Sequence, residues 1–206
     1  MIKIDFSQSS KISILLPTTP LFDAVASALA LKLSLELAGK QVSVHCQTPM
    51  TVDFNRLIGI NTIGGSLGDR NLIITFPGQT DLVDKVSYNM DTGELQLVVV
   101  PTPDCVIDPS KLKIVSGALI SDLNILIGIS DLSELTNTES LVNQKLIYFN
   151  NSLAPNASSL SEITTELLKL QNLPLNSDIA TNLMQGLTKA TNGFTSNKVS
   201  KNTFDT

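Results

Sequence analysis

Residue types that serve metal sites and disulfides are scarce in this sequence. It contains one histidine, two cysteines and no tryptophan among 206 residues. The cysteines, Cys46 and Cys105, lie in separate segments without a CxxC pair, so neither a zinc site nor a disulfide framework is indicated, and we expect reduced, buried thiols. His45 stands beside Cys46 at the end of an apparent strand. Adjacent strand residues point to opposite faces, which argues against a joint metal site.

Basic and aromatic residues are also few. The chain has 14 Lys and Arg residues against 19 Asp and Glu residues, a net charge of −5, and no basic run long enough to form a phosphate-binding stripe. Aromatic residues make up 4% of the chain and are scattered, so they form no evident platform for stacking bases. These features exclude duplex nucleic acid as an expected partner and argue against single-strand binding.

Long apolar runs are missing as well. The apolar run in the opening "MIKIDFSQSSKISILLP" is too short for a signal peptide. No later window approaches the apolar length that a membrane span needs. We therefore expect a cytoplasmic protein with no membrane partner. A hydrophobic content of 42% over 206 residues provides for one sizeable core, which predicts a single domain over residues 1–206.

What the sequence does contain is a strand, loop, helix and strand in its first 46 residues. The run "KISILL", bounded by Pro17 and Pro20, predicts a buried strand, and "AVASALALKLSLELAGK" predicts a helix ended by Gly39. Asp23 stands at the expected N-cap of this helix, and "QVSVHC" resumes as a strand. This order is typical of a parallel sheet, whose ligands gather at the carboxyl ends of the strands, here at residues 17–23.

The middle of the chain predicts an antiparallel hairpin. The strand-like runs "KVSYNM" and "ELQLVVVP" are joined by Asp91-Thr92-Gly93, a good hairpin turn, and we place the insertion at residues 71–101. Later, "LNILIGIS" and "KLIYFN" predict strands separated by the short helix or loop "SELTNTESLVNQ".

Two helices follow, "SLSEITTELLKLQN" and "NSDIATNLMQGLTKAT", the second of which Asn176, Ser177 or Asp178 can cap. The polar tail ends where a further helix can start, near Thr203. The predicted fold class is α/β, with a doubly wound, mostly parallel sheet, helices on both faces and an inserted antiparallel β-hairpin.

The segments "PLFDAVASALAL", "ASSLSEI" and "LPLNSDIATNLMQGLTKATNGF", in this order, resemble the DHH phosphoesterases. That family includes RecJ-like nucleases, nanoRNases and exopolyphosphatases, and the likeness covers most of the chain except the hairpin region. It implies two manganese ions held by a His and several Asp, from the patterns H-x-x-P-D-x-D-A-x-x-S and D-T-G-x-F, a D-H-H triplet, and an Asp after a middle strand. It also implies a C-terminal substrate-binding domain, which we expect to be absent.

Most metal-binding positions of the resemblance carry residues that cannot bind a metal. In the first loop Pro20, Asp23, Ala24 and Ser27 match the pattern, but Pro17 and Leu21 replace the His and the first Asp. Gly128 stands at the middle Asp, and Phe149, Asn150 and Asn151 stand at the triplet. In the late pattern Ala190 replaces the Asp, and Thr191 and Asn192 follow it. The segment "ASSLSEI" retains Ser158, Ser159 and Glu162 and is expected to start and cap a helix.

Two interpretations of the remaining polar residues stay open. Asp23 either caps the first helix or is a leftover metal ligand, and a relocated acid such as Asp122 or Asp131 is a further metal-binding alternative. The neutral residues either line a cleft suited to a nucleotide or sugar or belong to solvated loops. The candidate site is a degenerate cleft formed by Asp23, Gly128, Asn150, Asn151, Ser158, Ser159, Ala190, Thr191 and Asn192.

Three hypotheses of function follow. The first is a catalytically degenerate DHH-like domain without a cofactor, which binds or scaffolds an unknown protein or a small nucleotide. The second is a manganese-dependent phosphoesterase that acts on short oligonucleotides, cyclic dinucleotides or polyphosphate through relocated ligands. The third is a structural subunit, including a homo-oligomer, that pairs through the exposed edge of the hairpin.

Overall fold

The structure, a computed structural model, describes residues 4–65, 72–90, 93–116, 121–136, 138–141 and 144–206. The chain divides into a main unit, residues 1–69 and 119–206, and an inserted unit, residues 70–118. The predicted Asp91-Thr92-Gly93 turn lies partly outside the described residues, because Asp91 and Thr92 are not among them. The single domain over residues 1–206 and the bounds 71–101 of the insertion stay predictions.

The described residues form nine strands and four α-helices. The strands are β1 (Lys11–Leu15), β2 (Gln41–His45), β3 (Ile63–Gly64), β4 (Leu72–Thr75), β5 (Val83–Asn89), β6 (Gln96–Pro101), β7 (Lys113–Ser116), β8 (Leu123–Ile127) and β9 (Leu146–Phe149). The helices are α1 (Phe22–Leu37), α2 (Leu160–Leu170), α3 (Ser177–Ala190) and α4 (Lys201–Asp205). Among these residues no helix is both long enough and apolar enough to cross a bilayer.

The main unit contains a five-stranded parallel sheet in the order β3-β2-β1-β8-β9. Ile12 on the central strand β1 is in register with Val42 on β2 and with Leu123 on β8. From β1 the chain first adds β2 and β3 on one side, and later adds β8 and β9 on the other side. The strand order therefore reverses between β1 and β8. Crevices at such a reversal are the usual ligand sites of open α/β sheets.

The two faces of the sheet are covered differently. One face, with Ile14 and Ile125, packs against α1, whose residues 23–32 are all buried, as expected of a helix that is apolar on most sides. On the other face Leu15 and Leu126 pack with Leu135 and Leu141, which belong to the connection between β8 and β9. The part of that connection that the structure describes forms short 3₁₀ turns and no α-helix. The predicted α/β fold, with a parallel sheet and packed helices, is confirmed.

Local signals set three of the helix ends as expected, while the start of α1 differs. Gly39, at φ +81°, ends α1 in a Schellman motif, in which Lys40 N donates to Leu35 O at 3.0 Å and Gly39 N donates to Glu36 O at 2.9 Å. The side chains of Ser159 and Asn176 cap α2 and α3 by accepting from backbone N–H groups. The prediction that Asp23 caps α1 is wrong, because α1 begins at Phe22 and its N-cap residue is Leu21.

The inserted unit is antiparallel. β4 pairs with β7, and β5 pairs with β6, which confirms the antiparallel hairpin predicted from the two strand-like runs. Cys105 lies in this unit and is only half-buried, so the expectation of a buried thiol is wrong there. Cys46, in the main unit, is a free buried thiol as predicted, and burial raises its pKa.

Candidate functional site

Several of the predicted site residues meet at the carboxyl ends of β1, β8 and β9. Gly128 N, directly after β8, donates to Phe149 O at 2.9 Å, and Asn150 Nδ2, directly after β9, donates to Ile129 O at 3.0 Å. Gly128 has φ +73°, and a Cβ placed on it would lie 3.1 Å from the Cβ of Ala24 at the start of α1. The first turn of α1 and the ends of β8 and β9 therefore lie together.

The side chain of Asp23 is bound to the first turn of α2. Its Oδ2 accepts from Leu160 N at 2.6 Å, and its Oδ1 accepts from Ser161 N at 3.0 Å and from Ser161 Oγ at 2.5 Å. The residue is 8% exposed. Asp23 therefore caps α2, a helix that begins 137 positions later in the chain, in place of the helix on which it lies.

Burial and hydrogen bonding act on this carboxyl group in opposite directions. Removal from water, the larger effect, raises the pKa of Asp23, while the hydrogen bonds from the Ser161 side chain and from the backbone of Leu160 and Ser161 lower it. The net effect is a raised pKa. A buried carboxyl group with these partners stabilises a helix start but holds its charge less readily than a solvated one.

Gly186 on α3 completes this contact, and the sequence analysis missed it. A Cβ on Gly186 would lie 2.1 Å from Ser161 Oγ, 2.8 Å from Ala26 Cβ and 2.9 Å from Asp23 Oδ1. Only a residue without a side chain allows α3 to come this close to α1 and α2. The available signal was an isolated glycine inside an otherwise helical pattern, since such a residue weakens a helix and has a packing or functional reason when it is retained.

The neutral polar residues of the candidate site have local structural roles. Asn150 accepts from Ser152 N at 3.0 Å and so caps a 3₁₀ turn, whose first residue is the exposed Asn151. Ser158 donates from its Oγ to Glu162, and Ser159 accepts from Glu162 N at 3.0 Å; both serines are buried. Most of these polar groups are thus already paired within the protein, whereas a solvated loop or an open cleft would leave them free.

The late part of the predicted site lies at the end of α3. Ala190 is exposed and lies one helical turn after Gly186, on the same helix face. Thr191 is buried, and its Oγ1 donates to Leu187 O at 2.7 Å and accepts from Phe194 N at 3.0 Å. Asn192 is exposed in the following turn at φ 50°.

A cavity of about 710 Å³ opens where the first turn of α1, the 3₁₀ turn Val52–Phe54 and the end of α3 meet. The rings of Phe22 and Phe54 stack in its wall, with centroids 5.7 Å apart and an interplanar angle of 10°. The lining residues are Phe22, Val52, Asp53, Phe54, Arg56, Met184, Gln185, Thr188, Lys189, Asn192 and Gly193. The cavity therefore combines apolar walls with two cationic side chains and one carboxylate.

The residues present do not fit a pair of manganese ions. Such a pair is offset by several carboxylates that also fix its geometry. Among the described residues, no three His, Cys, Asp or Glu side chains are grouped where they can hold a metal ion. At the predicted positions Asp23 is the acid, and both of its oxygens already accept hydrogen bonds.

The two relocated acids considered from the sequence lie elsewhere. Asp122 precedes β8 and accepts from Ser10 N at 2.7 Å and from Lys11 N at 2.8 Å, which places it at the amino ends of the strands, the opposite edge of the sheet. Asp131 accepts from Ser133 N at 2.8 Å and caps a 3₁₀ turn on the second face. These hydrogen bonds lower the pKa of each acid, the backbone N–H of Lys11 being the main cause for Asp122 and the Ser133 side chain for Asp131.

Comparison with known proteins gives a fold neighbour. No family model and no curated protein sequence matches the chain. Among solved structures, an exopolyphosphatase-related protein from Bacteroides fragilis matches with a TM-score of 0.64 over 97% of this chain, at 15% sequence identity. The chain spans 52% of that protein, about half of its length. A likeness at this identity shows a shared α/β fold.

Proposed function

We propose that the chain is a DHH-phosphoesterase-like domain without a metal centre, which acts as a binding or scaffolding module in the cytoplasm. Two observations support the family: the order of the sequence segments, and the fold shared with an exopolyphosphatase-related protein. The observation that carries the loss of catalysis is the hydrogen bonding of Asp23 to the first turn of α2.

The structural role of Asp23 conflicts with metal binding. A carboxylate has about four lone-pair sites, and three hydrogen bonds occupy most of them here. The remaining site is buried with the rest of the side chain. Without a metal ion to generate hydroxide at neutral pH, hydrolysis of a phosphoester needs another general base, and a carboxylate held by a helix start is a poor one.

Metal binding and turnover test the loss of catalysis. We expect no manganese binding by calorimetry, no change in melting temperature on adding manganese, and no hydrolysis of bis-p-nitrophenyl phosphate, short oligoribonucleotides or polyphosphate. Manganese-dependent turnover that Asp23→Ala abolishes would contradict the proposal and favour a surviving phosphoesterase.

The cavity beside Phe22 is the binding site in this proposal. Its volume lies within the usual range for small-molecule pockets, and it is near the carboxyl ends of the strands, where α/β folds bind ligands. The stacked rings of Phe22 and Phe54 offer an apolar wall, while Arg56 and Lys189 offer positive charge to a phosphate. A small nucleotide is the ligand class that can use both the apolar wall, through its base, and the positive charge, through its phosphate.

Affinity measurements test the ligand separately from catalysis. We expect a mononucleotide such as AMP to bind, and Arg56→Ala and Lys189→Ala each to weaken binding several-fold at low salt. Lys198→Ala is the matched control, since Lys198 is exposed and does not line the cavity. Nucleotide binding that Arg56→Ala and Lys198→Ala weaken equally would contradict the site.

A further inference from the structure

The hairpin of β5 and β6 has one strongly apolar face. Residues in register share a face in an antiparallel pair, and Val86 is in register with Val99, and Tyr88 with Leu97. Met90 follows β5 and Leu95 precedes β6, so the apolar run continues at the end of the hairpin. We name this surface the hairpin face; it consists of Val86, Tyr88, Met90, Leu95, Leu97 and Val99.

The hairpin face is exposed to an extent that is unusual for apolar side chains. The exposed fractions are 62% for Val86, 68% for Tyr88, 63% for Met90, 67% for Leu95 and 50% for Leu97. The opposite face is mixed: Lys85 is in register with Val100, Ser87 with Val98, and Asn89 with Gln96. Ordinary protein surfaces rarely carry a contiguous apolar patch of this kind, and such a patch usually marks an interaction surface.

The hairpin is also not part of a larger sheet in the portion of the chain that the structure describes. Among the described residues, β5 and β6 form a separate two-stranded sheet. An isolated two-stranded hairpin is marginally stable in water, and packing of its apolar face against another layer is what usually stabilises it. A layer that packs on the hairpin face must therefore be present wherever the folded chain occurs.

We propose that a second copy of this chain covers the hairpin face, so that two hairpins stack face to face across a two-fold axis. A second copy is present wherever the chain itself is. The face carries no charged side chain, so two copies meet without like-charge repulsion, and an apolar surface of this kind is complementary to itself.

The area of the hairpin face agrees with a dimer. Side chains of this size, exposed to this extent, present roughly 600 Å² per copy, so that two stacked faces bury about 1,200 Å², the lower end of the range for specific interfaces. Two β-layers stack at about 10 Å, a distance that lets Tyr88 and Leu97 of one copy interdigitate with those of the other. This pairing differs from edge-to-edge pairing, because it uses side chains and leaves the strand edges free.

Mass measurement on the whole chain tests the proposal. Light scattering after size exclusion should give a dimer of the 22.1 kDa chain, and Leu97→Lys should raise the dissociation constant roughly a hundredfold, because the two-fold axis brings two buried charges into the interface. Val98→Lys is the matched control on the opposite face and should remain a dimer. A monomeric wild type, or equal effects of the two variants, would overturn the proposal.

A second measurement guards against a variant that fails to fold. Since the chain has no tryptophan, Tyr88→Trp introduces a single emission reporter on the hairpin face with little change of size. Its emission should shift to the blue in the dimer and return to the red on dilution, at the midpoint given by light scattering. Val98→Trp should emit at the same wavelength at all concentrations. Emission of Tyr88→Trp that does not depend on concentration would count against a second copy.

Discussion

Asp23 is the residue whose role depends most on the folded structure. It is one of the few positions at which the sequence matches the metal-binding pattern, yet its carboxylate caps a helix that starts 137 positions later. The sequence left two interpretations open, a cap for α1 and a leftover metal ligand. Neither of them pairs the carboxylate with α2. The contact with Leu160 and Ser161 shows a third role, which joins α1 to α2.

Replacement of Asp23 should destabilise the protein through α2. Asp23→Ala leaves two buried backbone N–H groups and the Ser161 hydroxyl without their acceptor, so we expect a loss of about 1–3 kcal/mol in the free energy of unfolding. Urea denaturation measures it. Asp178→Ala is the matched control, an exposed acid in the first turn of α3, and should cost at most about 1 kcal/mol. Equal losses in the two variants would show that α2 does not depend on Asp23.

The raised pKa of Asp23 predicts the sign of a pH dependence. An unperturbed Asp titrates near 3.8, and the folded protein holds the proton of Asp23 more tightly than the unfolded chain does. The stabilising contribution is therefore fully present below pH 3.8 and is lost as the pH rises through the raised pKa of the folded state. The free energy of unfolding of the wild type, minus that of Asp23→Asn, should decrease over this window. A difference that increases with pH would mean that the hydrogen bonds outweigh burial.

At the scale of elements, the packing of α3 depends on a single glycine. Gly186→Ala improves helix propensity by about 1 kcal/mol, but its methyl group would clash with Ala26 and Ser161, and neither neighbour is a long flexible side chain. We expect a net destabilisation of about 1–3 kcal/mol, measured as a lower melting temperature. Gly65→Ala is the control, because a Cβ there meets no atom within 4 Å. An unchanged melting temperature for Gly186→Ala would show that the helices can separate without loss.

A buried acid on α2, Glu162, is one of the contacts that hold the short helix α4. Glu162 Oε2 accepts from Ser158 N at 2.9 Å and from Thr203 Oγ1 at 3.1 Å, and both Glu162 and Thr203 are buried. Thr203→Val keeps the shape and removes the hydroxyl, so amide hydrogen exchange over residues 201–205 should become faster while the rest of the main unit is unchanged. Thr181→Val serves for comparison, since the hydroxyl of Thr181 donates within its own helix and is exposed. Unchanged exchange in α4 after Thr203→Val would assign its position to other contacts.

At the scale of the whole molecule, the sequence predicted those features that are set by residues close together in the chain. The strand and helix pattern of the first 46 residues, the ending at Gly39 and the caps at Ser159 and Asn176 are local signals, and all of them are found in the structure. The parallel pairing of β1 with β2 followed from the βαβ pattern, as did the edge of the sheet at which a ligand was expected. The partners of Asp23 and the cavity beside Phe22 join segments that are far apart in the chain, and no local pattern specifies such contacts.

The partner of Asp23 also limits how this scaffold can be redesigned. Pro17→His, Leu21→Asp and Ala190→Asp would return metal donors to the positions where the sequence resemblance expects them. A functioning metal centre would still need the oxygens of Asp23, and taking them would leave Leu160 N and Ser161 N without an acceptor at the start of a buried helix. Donors added one at a time therefore gain no metal, while the step that recruits Asp23 loosens the fold. A working design must first give α2 a different N-terminal acceptor, and only then add the metal ligands.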